Sequence, residues 1–366
     1  MRISSGEVGR GPARSGTEDD MRRKNGINHK TIEHVAKKAG VSMMTVSRAI
    51  SAPDSVRPAT REKIYKVINA IGYRPHPVAS ALAKKNTRVG IIGVCLPSHH
   101  FLFTVDYYLR LFRGIEDAVE KRGYDLLIYN TIKKSGGAVD YARFQTCGFV
   151  DGLIVVAPPV GDPNLDQLCH INAPFIIASA RPVKKGMSFV DADNRQGAFA
   201  AVEHLVKLGH RRIATIAGDL TSSNGIDRVA GYRKAMKKHG LAIHDELIVS
   251  GDWQLDEGYQ AMKKLLALKK KPTAVFCAND FMAVMAMRAI REAGMNVPRD
   301  IAIVGYDDND FCIEKRPPLT SVRQPCYEMG KIACEKVIDF VEEKKRGPVA
   351  IMLANQLMVR KSCGSE

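Results

Sequence analysis

Residues 31–50 read TIEHVAKKAGVSMMTVSRAI, and this stretch decides what the N-terminal part of the chain folds into. Ile32, Val35, Ala36 and Ala39 stand at i, i+3, i+4 and i+7, the spacing of one helix face. Thr31 is placed to cap that helix, with His34 where a capping box usually has Glu or Gln. Gly40 supplies a tight turn and Val41 a buried side chain. Ser42 then starts a second helix running to about Ile50, with Val46, Ala49 and Ile50 on its inner face. Further on, residues 56–73, VRPATREKIYKVINAIGY, predict a third helix over about 59–71. It buries Ile64, Val67, Ile68 and Ile71 and stops at Gly72. Two short helices joined at a glycine turn and braced by a third describe a helix-turn-helix. Taken alone, the pattern also fits a plain three-helix bundle.

The outward side of the second helix offers Met43, Met44, Thr45, Ser47 and Arg48. Arg48 can donate two hydrogen bonds to a guanine, whereas Met43 and Met44 can make only apolar contacts, for example to thymine methyls. The hydroxyls of Thr31, Thr45 and Ser47 suit phosphate oxygens. Ser42, at the head of the helix, completes the candidate DNA-facing set. Residues 73–85, YRPHPVASALAKK, follow. Two prolines cannot continue the third helix, so a linker begins there. A short helical stretch then sets Ala79, Ala81 and Ala83 around one large apolar residue, Leu82. Alone it makes a marginal helix. Its small residues would let two copies pack closely, and Leu82 can wedge between base steps in the minor groove. An ordinary Ala-rich linker is the plainer alternative.

Charge points the same way. The 366-residue chain carries a formal net charge of +16, but residues 1–88 hold 18 Lys and Arg against 7 Asp and Glu. The basicity sits at the N-terminus, which predicts a polyanionic partner there. Part of it belongs to residues 1–27, a Gly-, Ser- and Arg-rich stretch read as a disordered extension. The 8 cysteines form no CxxC pair, so neither a zinc site nor a disulfide framework is expected, in keeping with a reducing cytoplasm. The opening residues lack the apolar run of a signal peptide, and no apolar stretch approaches a membrane span.

Beyond Arg88 the period changes. Apolar strand-like runs at 89–95, 125–129, 153–157 and 175–178 form one set of four. Runs at 213–217, 247–249, 274–278 and 301–304 form a second set. Amphipathic helices at 107–122, 196–208, 231–239 and 281–293 lie between them, several ending in glycine before the next strand. This rhythm predicts parallel sheets covered by helices on both faces, in two lobes, with a ligand between them at the carboxyl ends of the strands. Several polar groups fall just past strand ends: Asn279, Asp280, Asp307, Asp308 and Trp253, with Arg228 in a loop-to-helix turn. A carboxylate, an amide, a guanidinium and a flat ring are the groups that grip a polyhydroxylated ligand. Each also has a purely structural reading, as a helix cap, a surface ion pair or core packing.

At residues 31–50, 56–73 and 77–85 the order, spacing and residue types resemble the headpiece and hinge of LacI/GalR-type regulators, and the resemblance extends over about residues 28–363. It implies that Met43, Met44 and Arg48 face the major groove, and that Leu82 is the hinge leucine at the centre of a near-palindromic operator. It further implies a core like a periplasmic sugar-binding protein, whose chain crosses between lobes near Asp193, Val322 and Leu353. By the same resemblance Arg228 and Asp307 are recurrent effector contacts, with Asn279 and Trp253 close behind. Phe101 and Phe103 stand where the family often has paired aromatics at the cleft mouth, after His99-His100 in place of the usual Asn-Pro. Ser179 stands where sugar binders often carry Asp, and Arg181 lies two residues on.

The expected architecture is therefore a small all-α helix-turn-helix domain plus an α/β core of two Rossmann-like lobes. The headpiece spans 28–73, the hinge 74–87 and the core 88–363. The first lobe takes about 88–192 and 323–352, the second about 193–322 and 353–363. The expected partners are a double-stranded DNA operator, a small-molecule effector, most simply a sugar, and a second copy of the chain, since the tail lacks the leucine heptads of a coiled-coil tetramer. No cofactor and no metal are expected. A transport binding protein would lack the headpiece. An enzyme would need a motif such as GxxxxGK[ST], GxSxG or HExxH, none of which occurs. The remaining rivals are a regulator answering to a protein partner or a non-sugar metabolite and, more distantly, a sugar-handling enzyme.

Overall fold

The computed structural model describes residues 30–74, 88–96, 106–130, 140–253, 255–343 and 347–365. The candidate positions Ala79, Leu82, Phe101 and Phe103, like the basic extension, lie outside them. The chain divides into two compact units at residues 83 and 84.

The first unit contains α1 (Ile32–Ala39), α2 (Met43–Ser51) and α3 (Pro58–Ile71). His34 takes the capping-box role, its Nδ1 accepting from the Thr31 backbone N–H at 3.2 Å. Gly40 closes α1 in the left-handed region at φ 62°, where a side chain would be strained, and its N–H bonds back to Ala36 O. Ser42 Oγ accepts from Thr45 N at 3.2 Å to start α2. Pro58 occupies the first turn of α3, where a missing N–H costs nothing. Val35, Ala36, Ala39, Val46, Ala49, Ile64 and Ile71 form the core of this unit, while Val67 and Ile68 are only half-buried against it. Tyr65 reaches across to donate to Ala49 O at 3.1 Å, tying α3 to α2.

The second unit holds two six-stranded sheets. In chain order its elements are β1 (Ile91–Leu96), α4 (Asp106–Arg122), β2 (Asp125–Asn130), α5 (Ala142–Thr146), β3 (Gly152–Val156), α6 (Pro163–His170), β4 (Phe175–Ala178) and β5 (Phe189–Ala192). Then come α7 (Asn194–Lys207), β6 (Ile213–Ala217), α8 (Ser223–Lys238), β7 (Ile248–Ser250), α9 (Leu255–Leu266), β8 (Ala274–Cys277), α10 (Asp280–Glu292) and β9 (Ala302–Asp307). The last are β10 (Thr320–Arg323), α11 (Cys326–Glu343), β11 (Ala350–Leu353) and β12 (Gln356–Met358). One sheet runs β11-β5-β4-β3-β1-β2 and is parallel throughout. The other runs β12-β10-β9-β8-β6-β7, with only β12 antiparallel to its neighbour. Apolar clusters cover both faces of each sheet, so the central strands read as unbroken apolar runs.

Two expectations need correction. Each sheet has six strands, where four were expected. The additional strands β5, β10, β11 and β12 are only three or four residues long, and all but β11 carry a polar residue, so they read in sequence as connections. The chain passes from β5 to the second lobe at residue 193, returns after β10 at residues 324–325, and crosses again between β11 and β12 at 354–355. The helix expected from residue 231 begins at Ser223. Gly225 sits inside its first turn, where only glycine fits, since a Cβ there would lie 2.1 Å from Asp219 O. Close approach also explains Gly114 on α4 and Gly330 on α11. A Cβ on either would meet a backbone oxygen of the facing helix at 2.0 Å, so the two helices touch backbone to backbone.

Candidate effector cleft and DNA-binding surface

On the headpiece, Met43 and Met44 are 52% and 64% exposed although large apolar side chains are normally inside. Arg48 is exposed beside them, one turn further along α2, while Val46 and Ala49 anchor the opposite face. Thr31 and Ser42 are exposed, and Thr45 and Ser47 half-buried. Thr45 Oγ1 is not idle, lying 2.8 Å from Ser42 Oγ.

In the core the strand ends gather polar groups around Arg228. Because α8 begins at Ser223, Arg228 stands in the second turn of a helix rather than in a loop. Its side chain is only 4% exposed, and two of its three nitrogens are held. Nε donates to Asn194 Oδ1 at 2.9 Å and Nη1 to Ala278 O at 2.5 Å. The guanidinium lies 3.8 Å from the centre of the Tyr306 ring and 5.2 Å from that of Trp253. Asp307 Oδ1 is 3.7 Å from Nη1 and accepts from Gln324 Nε2 at 2.7 Å. Burial pushes the Asp307 carboxyl up to about 7, against the pull of Arg228.

Asp307 at φ 106° and Trp253 at φ 59° both occupy the left-handed half of backbone space, which non-glycine residues enter at a cost. That cost aims their side chains. The Trp253 ring lies so flat on Gly218 that a Cβ there would sit 2.1 Å from it.

Asn279 and Asp280 have structural engagements. Asn279 Oδ1 caps α10 by accepting from Met282 N at 2.8 Å. Asp280, fully buried, accepts from Asn309 N at 2.8 Å and from Ser321 Oγ at 2.5 Å, tying down the loop after β9. From the first lobe, Ser179 ends β4 with its hydroxyl bonded to the buried Tyr107 hydroxyl. Arg181 does not enter the cleft. It pairs across the lobes with Asp227 of α8 at 3.0 Å, and Arg195 takes the other carboxylate oxygen at 2.8 Å. The lobes also meet where Asn224 Nδ2 donates to Ser179 O at 3.0 Å and Val160 N to Thr221 O at 2.8 Å. Elsewhere Arg110 Nη1 donates to Asp308 O at 3.1 Å and Asp310 N to Asp106 Oδ2 at 2.7 Å.

Sequence reasoning missed Asp191, Asn194, Tyr107, Tyr108 and Tyr306. Asp191 lies within β5 and is 1% exposed, with Oδ1 accepting from Ala192 N at 2.8 Å. Its Oδ2 is buried with no hydrogen-bond partner among the described residues. Burial pushes this carboxyl up to about 7, while Arg228 draws it down. An Asp inside the otherwise apolar stretch 189–192 was the available signal. Among the described residues no group of three His, Cys, Asp or Glu side chains is arranged to hold a metal, and no helix is long and apolar enough to cross a membrane.

Both units have counterparts among known proteins. Residues 31–76 match the family described as bacterial regulatory proteins, lacI family, and residues 202–363 a periplasmic binding protein-like domain. Catabolite control protein A of Priestia megaterium is 33% identical over 333 residues, covering 91% of this chain and 98% of that protein. A solved transcriptional regulator CelR–cellobiose complex is 33% identical, with TM-score 0.71, over 91% of this chain and 99% of that one. The lac repressor dimer bound to operator and the anti-inducer ONPF superposes with TM-score 0.74 at 28% identity, again over 91% of this chain and 99% of that one. A lacI-type headpiece and a two-lobed periplasmic-binding-protein-like core in one chain define a DNA-binding transcriptional regulator. The chain belongs to the lacI family of these proteins.

Proposed function

We propose that this regulator represses transcription by binding a near-palindromic operator as a dimer, and that a sugar or sugar derivative in the interlobe cleft sets its grip on DNA. The observation that carries the DNA half is the exposed Met43, Met44 and Arg48 face on α2, backed by the buried Val46 and Ala49. Arg48 reads a guanine, the two methionines meet apolar base edges, and Thr31, Ser42, Thr45 and Ser47 hold the phosphates. From the sequence alone, Ala79 and Leu82 provide the paired hinge and its minor-groove wedge. Half-sites one helical turn apart and strong salt dependence follow from such a dimer. The protein works in the cytoplasm, where its operator is.

The ligand half rests on the convergence of Arg228, Asp307, Trp253 and Tyr306 from the second lobe with Ser179 from the first. Asn279 lies at the same strand ends, and the sequence puts Phe101 and Phe103 at the cleft mouth. The cellobiose complex of the similar CelR supports a sugar. Such a ligand bridges the two lobes, so its presence shifts the balance between two lobe arrangements and hence between two hinge spacings. No chemistry is asked of these residues, and the protein is a regulator rather than an enzyme.

The test is selection of bound sites from random DNA with the purified full chain, repeated with and without a panel of sugars. An enriched palindrome whose occupancy moves with one sugar supports both halves. A palindrome indifferent to every sugar overturns the ligand half, and no enriched site overturns the whole reading.

A further inference from the structure

Asp191 is an expensive residue for what it does inside the protein. It is 1% exposed, one oxygen is satisfied by the backbone N–H of Ala192 at 2.8 Å, and the other has no partner among the described residues. Leaving a carboxylate oxygen buried and unpaired costs far more than replacing it with an apolar group. The carboxyl lies on β5, whose end faces the second lobe, within electrostatic reach of Arg228 on α8 and Tyr306 on β9 as well as Tyr107 on α4. Asn194 ties it to the cleft directly, its Nδ2 donating to Asp191 Oδ1 at 3.4 Å and its Oδ1 accepting from Arg228 Nε at 2.9 Å, so an incoming group that donates a hydrogen bond would remove the penalty.

The charges around it narrow that group further. Arg228 already faces both Asp307 and Asp191, and its Nε and Nη1 are engaged by Asn194 and by Ala278 O. The next arginines are drawn elsewhere: Arg181 and Arg195 onto Asp227, and Arg110 onto Asp310 and Asp308 O. Above pH 7, where both carboxyls are ionised, an anion entering here would meet, among the described residues, two carboxylates and one guanidinium whose charge is already offset. A hydroxyl meets an acceptor that lacks a donor. From this geometry we infer that Asp191 selects the effector: the ligand is an uncharged polyhydroxylated molecule, one of whose hydroxyls donates to Asp191 Oδ2, and acidic or phosphorylated counterparts are excluded. The inference rests on the ligand half of the proposed function and names the class of ligand and the residue that enforces it.

The experiment uses the full chain and matched sets of compounds. Glucose, galactose, xylose, cellobiose and maltose are each tested beside a corresponding sugar acid and a phosphate ester, with two purine bases added, by thermal shift and then by titration calorimetry. The expected result is a neutral sugar that binds at least tenfold more tightly than its acid and its phosphate ester, and that loses at least tenfold in affinity in Asp191→Asn. The ligand-free variant should melt no lower than the parent at pH 8, because an amide carries no charge to bury, so lost binding would not reflect lost folding. Tighter binding of an acid, a phosphate ester or a purine overturns the inference, as does an Asp191→Asn affinity within twofold of the parent. Binding of none of these compounds by a protein that still selects its operator overturns it together with the ligand half of the function. Selective sugar binding by a chain that enriches no DNA site overturns the DNA reading and leaves the role of Asp191 standing.

Discussion

Arg228 lies flat on Tyr306, its guanidinium carbon 3.8 Å from the ring centre, although the two residues are 78 positions apart on different elements of the second lobe. The stack holds a buried cation against a fully buried ring, while Asn194, Ala278 and Asp307 fix its edges. A guanidinium can stack and reach several acceptors at once, and an ammonium cannot.

Arg228→Lys should therefore abolish the ligand response while leaving the fold intact. Arg228→Met should also destabilise the core by about 3 kcal/mol, because Asp307 loses its nearby cation while remaining largely shielded from water. Ligand titration and thermal unfolding of the two variants check this. A Lys variant that responds to ligand as the parent does would show that the planar stack is dispensable.

On the headpiece, Arg48→Ala should cost about 1–3 kcal/mol at one base pair of the operator and relax the preference there. Binding to unrelated DNA should change much less. Titration against single-base operator variants measures it, and unchanged discrimination at every position would remove Arg48 from base readout.

The buried carboxyl of Asp191 makes stability pH-dependent with a definite sign. Unfolded, an Asp ionises near pH 4, whereas in the fold burial holds the proton on Asp191 to about 7. Between those values the native chain binds more protons than the unfolded one, so stability falls as pH rises and levels off above the native value. From pH 5 to pH 8 the share of Asp191 is about 2–3 kcal/mol. Denaturant unfolding of the ligand-free protein should show the fall, and Asp191→Asn should flatten it by that amount. Asp307 is raised for the same reason, so part of the slope remains in the variant.

Asp227 joins the lobes, its 6% exposed carboxylate holding Arg181 from the first and Arg195 at the start of α7. Asp227→Ala leaves both arginines without their acceptor. The lobes should separate more readily, giving a larger radius of gyration by small-angle X-ray scattering and a several-fold weaker ligand affinity. Identical scattering for parent and variant would show that the pairing does not govern closure.

Much of this protein is legible along the chain. Helical period, the Gly40 turn and the Ser42 cap specify the headpiece locally, because each depends on residues within about one turn. The eight apolar strand runs and the glycines after the helices are equally local signals. The remaining four strands were not. The pairs β5–β11 and β10–β12 join segments far apart in the chain, and strands this short exist only because a neighbouring strand supplies their hydrogen bonds.

The site divides in the same way. Residue type alone singled out Arg228, Asp307, Trp253 and the outward face of α2, since a guanidinium, a carboxylate and a large ring at strand ends announce a polar task. Sequence by itself thus determined the class of each domain and the side chains available for recognition. Tertiary structure decided that Arg181 turns away to Asp227, that Asp280 ties down Asn309 and Ser321, and that Asp191 holds an unpaired oxygen beside the cleft. The physical reason is that local periodicity is written in neighbouring residues. Burial, pairing and charge balance depend on which distant segments meet, and those meetings arise only when the two sheets close against each other.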